Sequence, residues 1–294
     1  MFEQILVPLD GSKLAELALP YAEDLVEVFD AHMTLLLVCD TPECEQRPEH
    51  QVYTEAKAKQ VAGEIRVKRP KEAVKAVVLK GNAAAEIVAY SGKNNVNLIA
   101  IATHGRSGII AWALGSVAHK ILHAVDVPVL LVRAGGHIQE VSRGQLFEHI
   151  LVPLDGSEAG EAALPYVTEL ADKLSSEVIL CQVVASGRHV HTIGGLDYVR
   201  FNGHEMDKAR ERSVEYLDGV AARMGTAKAT VTSEMRIGDP AEEIIKLADE
   251  IGSCLVAMST HGHSGIERWA FGSVTDKVIH AGKTPVLVVR AQDT

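Results

Sequence analysis

Two stretches of this 294-residue chain carry residue types and spacings suited to holding a phosphate ester. One runs Ala102-Thr-His-Gly105-Arg106-Ser-Gly108 and, after nine residues between Gly105 and the next motif, reaches Gly115-Ser116-Val117. The other runs Ser259-Thr-His-Gly262-His263-Ser-Gly265 and reaches Gly272-Ser273-Val274 after the same spacing. Glycines let the backbone turn tightly and approach an anion, and the last glycine of each stretch opens a segment with helical patterning, whose first N–H groups have no intrahelical acceptor. Such a loop can cradle phosphates without a lysine. Ser116 and Ser273 are placed either to cap that helix or to donate a hydroxyl to a phosphate. A second constellation faces the first: Asp10 and Asp155 each follow an apolar run directly. A carboxylate at that place is suited to accept hydrogen bonds from a ribose hydroxyl, or else to cap the helix that follows. Val38 and Val183, closing a further apolar run in each half, offer backbone groups and apolar surface to a purine, or are simply buried strand residues.

These residues occur in pairs because the chain is an internal repeat. QILVPLDGS (4–12) returns as HILVPLDGS (149–157), and THGRSG (103–108) as THGHSG (260–265). The offset is 145 residues at Asp10/Asp155 and 157 at Gly105/Gly262, so the second copy holds 12 extra residues, confined to roughly 184–206. Two domains of ordinary size follow, 1–134 and 148–294, with AGGHIQEVSRGQLF around 135–147 as a linker.

Within the first copy, short apolar runs alternate with helical spacing: strands at 5–9, 33–38, 74–80, 98–102 and 127–132, and helices from about 14, 49–69, 83–93 and 116–123. The run Leu98–Ala102 is apolar on both faces, as a strand covered by helices on either side must be. The pattern specifies an α/β fold of two tandem doubly wound domains, each a five-stranded parallel sheet of order 3-2-1-4-5 with helices on both faces. Ligand is then expected at the carboxyl ends of the strands. Pro20 and Pro165 predict a bend in both first helices.

Composition narrows the classes. No apolar run approaches the roughly 18 residues that a membrane span needs, and the amino-terminal MFEQILVPLD resembles no secretory signal, so a soluble cytoplasmic protein is expected. A net charge of −10 argues against a nucleic-acid surface. Cys39, Cys44, Cys181 and Cys254 form no CxxC and are expected to be reduced packing residues. No acid, base and nucleophile converge in the loops, and neither a Walker lysine nor a catalytic glutamate accompanies them. His104 and His261 are expected to hydrogen-bond loop backbone rather than act as acids or bases. The reading is therefore binding, with at most slow hydrolysis.

Both halves resemble universal stress protein domains, and the whole chain resembles the tandem members of that family. The residues carrying the likeness are ILVPLDGS in each copy, GNAAAEI (81–87) and GDPAEEI (238–244), the THG…GS loops, and PVLLVR (128–133) or PVLVVR (285–290). The ATP-binding branch carries glycine, two residues, glycine, nine residues, then glycine with serine or threonine. Gly105, Gly115 and Ser116 match this, as do Gly262, Gly272 and Ser273. The first glycine is replaced by Ala102 and by Ser259, which adds bulk where the backbone should approach the ligand, more so in the second copy.

The resemblance implies ATP, or AMP or ADP, as ligand, with Mg2+ carried on the phosphates. It implies that Asp10 and Asp155 meet ribose or adenine and that Pro8, Val38, Pro153 and Val183 shape the base pocket. Val117 and Val274 would join the GS pairs at the phosphates, where Arg106 would add charge and His263, mostly neutral at pH 7, would add less. Tighter binding in the first copy is expected. Family dimers pair their last strands, so 127–133 and 284–290 are expected to pair within this chain as a pseudo-dimer, with a homodimer of the whole chain also open. The implied role is a nucleotide-responsive regulator in stress response that signals to an unknown protein partner, without nucleic acid or membrane. The alternative is a nucleotide-free scaffold binding a partner through the tandem surface; a nucleotide-alpha-hydrolase type of enzyme is disfavoured for want of a second-substrate site. The inserted stretch, with His189, His191 and nearby His204, is expected to be a lid over the second pocket, a zinc site being the lesser reading.

Overall fold

The structure, a computed structural model, describes residues 1–40, 48–103, 114–133, 146–192, 195–252, 254–260 and 272–291, with the backbone alone for 188–192 and 195–200. The first copy runs β1 (Gln4–Leu9), a 3-10 turn (Ala15–Ala18), α1 (Leu19–Phe29), β2 (His32–Cys39), α2 (Pro48–Glu64), α3 (Pro70–Ala73), β3 (Val74–Lys80), α4 (Ala83–Lys93), β4 (Leu98–Ala102), α5 (Ser116–Ala124) and β5 (Val129–Val132). The second runs β6 (His149–Pro153), a 3-10 turn (Gly160–Ala163), α6 (Leu164–Leu174), β7 (Glu177–Val184), β8 (Gly187–Thr192), β9 (Gly195–Arg200), α7 (Gly203–Met224), β10 (Thr230–Ile237), α8 (Pro240–Ile251), β11 (Cys254–Ser259), α9 (Ser273–Ala281) and β12 (Val286–Val289).

The sheet is ten strands wide, in the order β10-β7-β6-β11-β12-β5-β4-β1-β2-β3. Each half has the expected doubly wound order, and β4 is buried at every position as a strand covered on both sides must be. Apolar residues of α1, α2, α6 and α7 fill one face and those of α4, α5, α8 and α9 the other, so each core layer spans both copies. No helix among the described residues is long and apolar enough to cross a membrane.

The halves meet where the last strands pair antiparallel, with Val286 opposite Leu131, Leu287 opposite Leu130 and Val288 opposite Val129. Repeat-equivalent residues close the joint in pairs. Phe2 packs on Tyr166 (ring centroids 6.0 Å apart) while its counterpart Phe147 packs edge-on against Tyr21, the counterpart of Tyr166, at 5.6 Å. The arginines ending PVLLVR and PVLVVR reach across to the opposite copy. Arg133, 6% exposed, donates to the carbonyls of Ile279 and His280 (2.9 Å for the latter) at the carboxyl end of α9. Arg290 donates to the Val125 carbonyl after α5 (3.4 Å) and pairs with Asp126 at 3.0 Å. Each cation thus meets the negative end of a helix dipole belonging to the other copy.

Several local expectations change. Pro20 and Pro165 bend no helix: a 3-10 turn comes first, and each proline falls in the first turn of its α-helix, where a missing N–H costs nothing. The helix expected over 49–69 ends at Glu64, with Pro70 opening the separate short α3. Asn82 and Asp239, singled out by no sequence argument beyond the family segments, are N-caps: Asn82 accepts from the Ala85 N–H, and Asp239 from those of Ala241 and Glu242. The insertion forms an antiparallel hairpin, β8 with β9, in a sheet of its own. Its register puts His189 and His191 on one face, but the side chains that a zinc site needs lie outside the described residues.

The cysteine expectation holds for two positions and fails for one. Cys181 and Cys254 are buried free thiols, whereas Cys39 is disulfide-bonded. Spacing had argued for reduced thiols because no CxxC was present, yet a disulfide needs proximity in space rather than that motif. Cys44 lies outside the described residues.

Replacing Arg133 by Ala should lower the free energy of urea unfolding by about 1.5–3 kcal/mol, the worth of hydrogen bonds from a buried charge. Replacing Arg290, whose partner Asp126 is 87% exposed, should cost no more than about 1 kcal/mol; equal losses would contradict the asymmetry. Burial pushes the Cys181 and Cys254 thiols up to about 12, from an ordinary value of 9.0. Both should therefore resist iodoacetamide at pH 8 in native protein and react on unfolding, as intact-mass analysis would report. Because the folded state holds these protons longer, their contribution to stability is complete below pH 9 and is lost as pH rises toward about 12.

Candidate functional site

The sequence Asp-Gly-Ser builds the same turn after β1 and β6. Gly11 and Gly156 take φ of 83° and 84°, a left-handed conformation that side chains other than glycine resist. This folds the serine amide back onto the aspartate: Ser12 N donates to Asp10 Oδ1 at 2.9 Å and Ser157 N to Asp155 Oδ1 at 3.0 Å. The serine hydroxyls then accept from the N–H groups of Ala15 (3.1 Å) and Gly160 (2.9 Å). The serines, rather than the aspartates, satisfy the start of the 3-10 turns. Neither aspartate is the N-cap of its helix, which removes the alternative weighed for them.

Across the carboxyl edge of the sheet, α5 and α9 begin. The N-caps are Gly115 and Gly272, neither supplying a side-chain hydrogen bond, and Ser116 and Ser273 are the first helical residues rather than the caps. Gly115 N donates to Thr103 O (2.7 Å) and Gly272 N to Thr260 O (2.8 Å), tying each helix start to the end of β4 or β11. The fold itself does not demand glycine at 272. Its φ of −58° suits any residue, and a Cβ there would meet nothing among the described residues closer than Thr260 O at 3.6 Å. Serine or aspartate would cap the helix better. Glycine instead adds no side-chain acceptor for the helix amides on that side.

In the second copy a cavity of about 230 Å³ lies between the two features, just under the roughly 300–1,000 Å³ of small-molecule sites. Its lining includes Pro153, Asp155, Val183, Ser259, Gly272, Ser273 and Val274, so the chain brings together seven of the residues that sequence reasoning named for this copy. Gly262 lies outside the described residues. Cys181, Pro240, Ile244 and Met258 complete an apolar floor that sequence reasoning missed. Strand alternation along β7 could have found Cys181, two residues from Val183 and on the same face, whereas Met258 is next to Ser259 and on the opposite face of β11, where alternation gives no signal for it. One end of the cavity is a carboxylate and the other the positive end of a helix dipole.

The first copy has the same order of parts. Pro8 is buried in β1, Asp10 follows that strand, Val38 sits in β2, and Ala102 ends β4 at 8% exposure. Gly115, Ser116 and Val117 open α5. Gly105 and Arg106 lie outside the described residues, as do His104, His261 and His263.

The family model described as the universal stress protein family matches residues 1–133 and again 146–290. Universal stress protein MJ0577 of Methanocaldococcus jannaschii is 28% identical over 159 residues, 51% of this chain and 98% of that protein. Universal stress protein MJ0531 of the same organism is 30% identical over 145 residues, 49% of this chain and 83% of that one. Among solved structures, a universal stress protein from Archaeoglobus fulgidus superposes with a TM-score of 0.68 at 23% identity, covering 99% of this chain and 100% of its own. Half-chain relatives align with one copy, whereas the Archaeoglobus structure spans both. With its two matched halves, the chain belongs to the universal stress protein family as a tandem two-domain member.

Proposed function

We propose that this universal stress protein binds an adenine nucleotide, ATP or its AMP and ADP relatives, at the carboxyl edge of each half. Bound nucleotide biases the surface that a partner protein reads, and in that way regulates a stress response. The observation that carries this reading is the second-copy cavity, closed by Asp155 at one end and at the other by a helix start whose glycine the fold does not require. A nucleotide has a group suited to each end: ribose hydroxyls for the carboxylate and phosphate oxygens for the first amides of the helix. The base then lies against Pro153 and Val183, and Mg2+ travels with the phosphates.

The first half is the tighter site in this reading, because Arg106 is always charged where His263 is mostly neutral, and Ala102 is smaller than Ser259. Binding with slow turnover at most fits a cradle built of main-chain amides without a lysine. A second reading, a nucleotide-free scaffold, draws on the continuous ten-stranded sheet, which fixes the two halves as one surface.

Saturation with ATP at about 100 times Kd should raise the midpoint of thermal unfolding by roughly 9 °C, as about 2.7 kcal/mol of linkage would in domains of this size. Asp10→Ala should weaken the tighter site of a calorimetric titration and Asp155→Ala the weaker one. No thermal shift with ATP, ADP or AMP would leave the scaffold reading standing. Loss of the tighter site in Asp155→Ala alone would reverse the ranking of the halves.

A further inference from the structure

Neither glycine-rich loop contains a lysine, yet each helix that opens beside one carries a lysine a turn further in. Lys120 follows Ser116 by four residues and Lys277 follows Ser273 by four, so the repeat keeps this cation at the same place in both halves. On α9, Lys277 shares a face with Val274, three residues back, which lines the second cavity. Its partner across the gap to α8 is Asp239, and the next residue, Pro240, lines that cavity too. The ammonium therefore stands at the cavity rim, on the side of the phosphate cradle.

In the second copy that ammonium is already engaged. Lys277 Nζ lies 3.5 Å from Asp239 Oδ2, while Asp239 Oδ1 caps α8 by accepting from Ala241 N (3.1 Å) and Glu242 N (3.2 Å). In the first copy the cap of α4 is Asn82, whose Oδ1 accepts from Ala85 N at 3.1 Å and whose side chain carries no charge. Among the described residues no ion pair reaches Lys120. One exchange, aspartate for asparagine, thus alters the charge at the rim and keeps the cap.

We infer that Lys120 and Lys277 are specificity residues for the outer phosphates of the nucleotide, and that Asp239 competes for Lys277 where Asn82 leaves Lys120 available. The inference rests on the nucleotide reading above and deepens it: the first half discriminates more strongly by phosphate number, for a reason separate from Arg106 and His263. Lys277 and Asp239 are 59% and 39% exposed, so their pair is weak and a phosphate chain competes against only that. Each added phosphate brings more negative charge within reach of the ammonium, so the difference between the halves grows from AMP to ATP.

Calorimetry of ATP, ADP and AMP on the full chain tests this, with Asp10→Ala in the background to weaken the first site. Asp239→Asn should tighten ATP at the second site about three- to fivefold, the release of one exposed ion pair, with a smaller gain for ADP and the smallest for AMP. Asparagine caps α8 as Asn82 caps α4, so the thermal midpoint without nucleotide should not move. Asn82→Asp, in an Asp155→Ala background, should weaken ATP at the first site by a similar factor. With Lys277→Gln also present, Asp239→Asn should lose most of its effect. A gain of the same size without the lysine would assign the effect to general charge and overturn the role of Lys277. Unchanged affinities for all three nucleotides in Asp239→Asn, with binding still seen, would overturn the inference alone. No binding of any of the three by unmodified protein would overturn the nucleotide reading and the inference with it.

Discussion

The antiparallel pairing of β5 with β12 is the constraint on which the rest of the molecule depends. A parallel five-stranded sheet ends in an edge of unpaired N–H and C=O groups, and each half of this chain would expose one along its last strand. Joining the two edges removes both and gives a single ten-stranded sheet. Pairing also fixes where the last helices stand, because Arg133 and Arg290 carry charge from the joint to the carboxyl ends of α9 and α5. Those are the helices whose opposite ends face the two candidate sites. Position at the joint and position at the cradle are therefore set by the same rigid bodies.

Much of this was legible in the residues. Repetition of ILVPLDGS and THG…GS divided the chain, and the alternation of apolar runs with helical spacing led to the doubly wound order. What escaped were features decided by contacts across the fold. The disulfide at Cys39 depends on spatial approach, which spacing in sequence does not report. The prolines fell in first helical turns because a 3-10 segment preceded them, a shift of a few residues that periodicity cannot locate. Ser116 looked like a cap beside Gly115, but the glycine takes that position and the serine enters the helix. The apolar floor of the second cavity went unnamed because Cys181, Ile244 and Met258 look like ordinary core residues until the strands are in register.

The two halves are near copies in backbone and unlike in chemistry. Ala15 answers to Gly160 beside the aspartate and Ala102 to Ser259 at the end of the fourth strand, while in sequence Arg106 answers to His263.

Amide hydrogen exchange of the full chain with and without ATP tests the lysine-free cradle most directly. Slower exchange at Ser273, Val274 and Thr275 of α9 and at the matching start of α5, with the rest of both helices unchanged, is the predicted result. Exchange at those amides that stays the same at saturating nucleotide would contradict it.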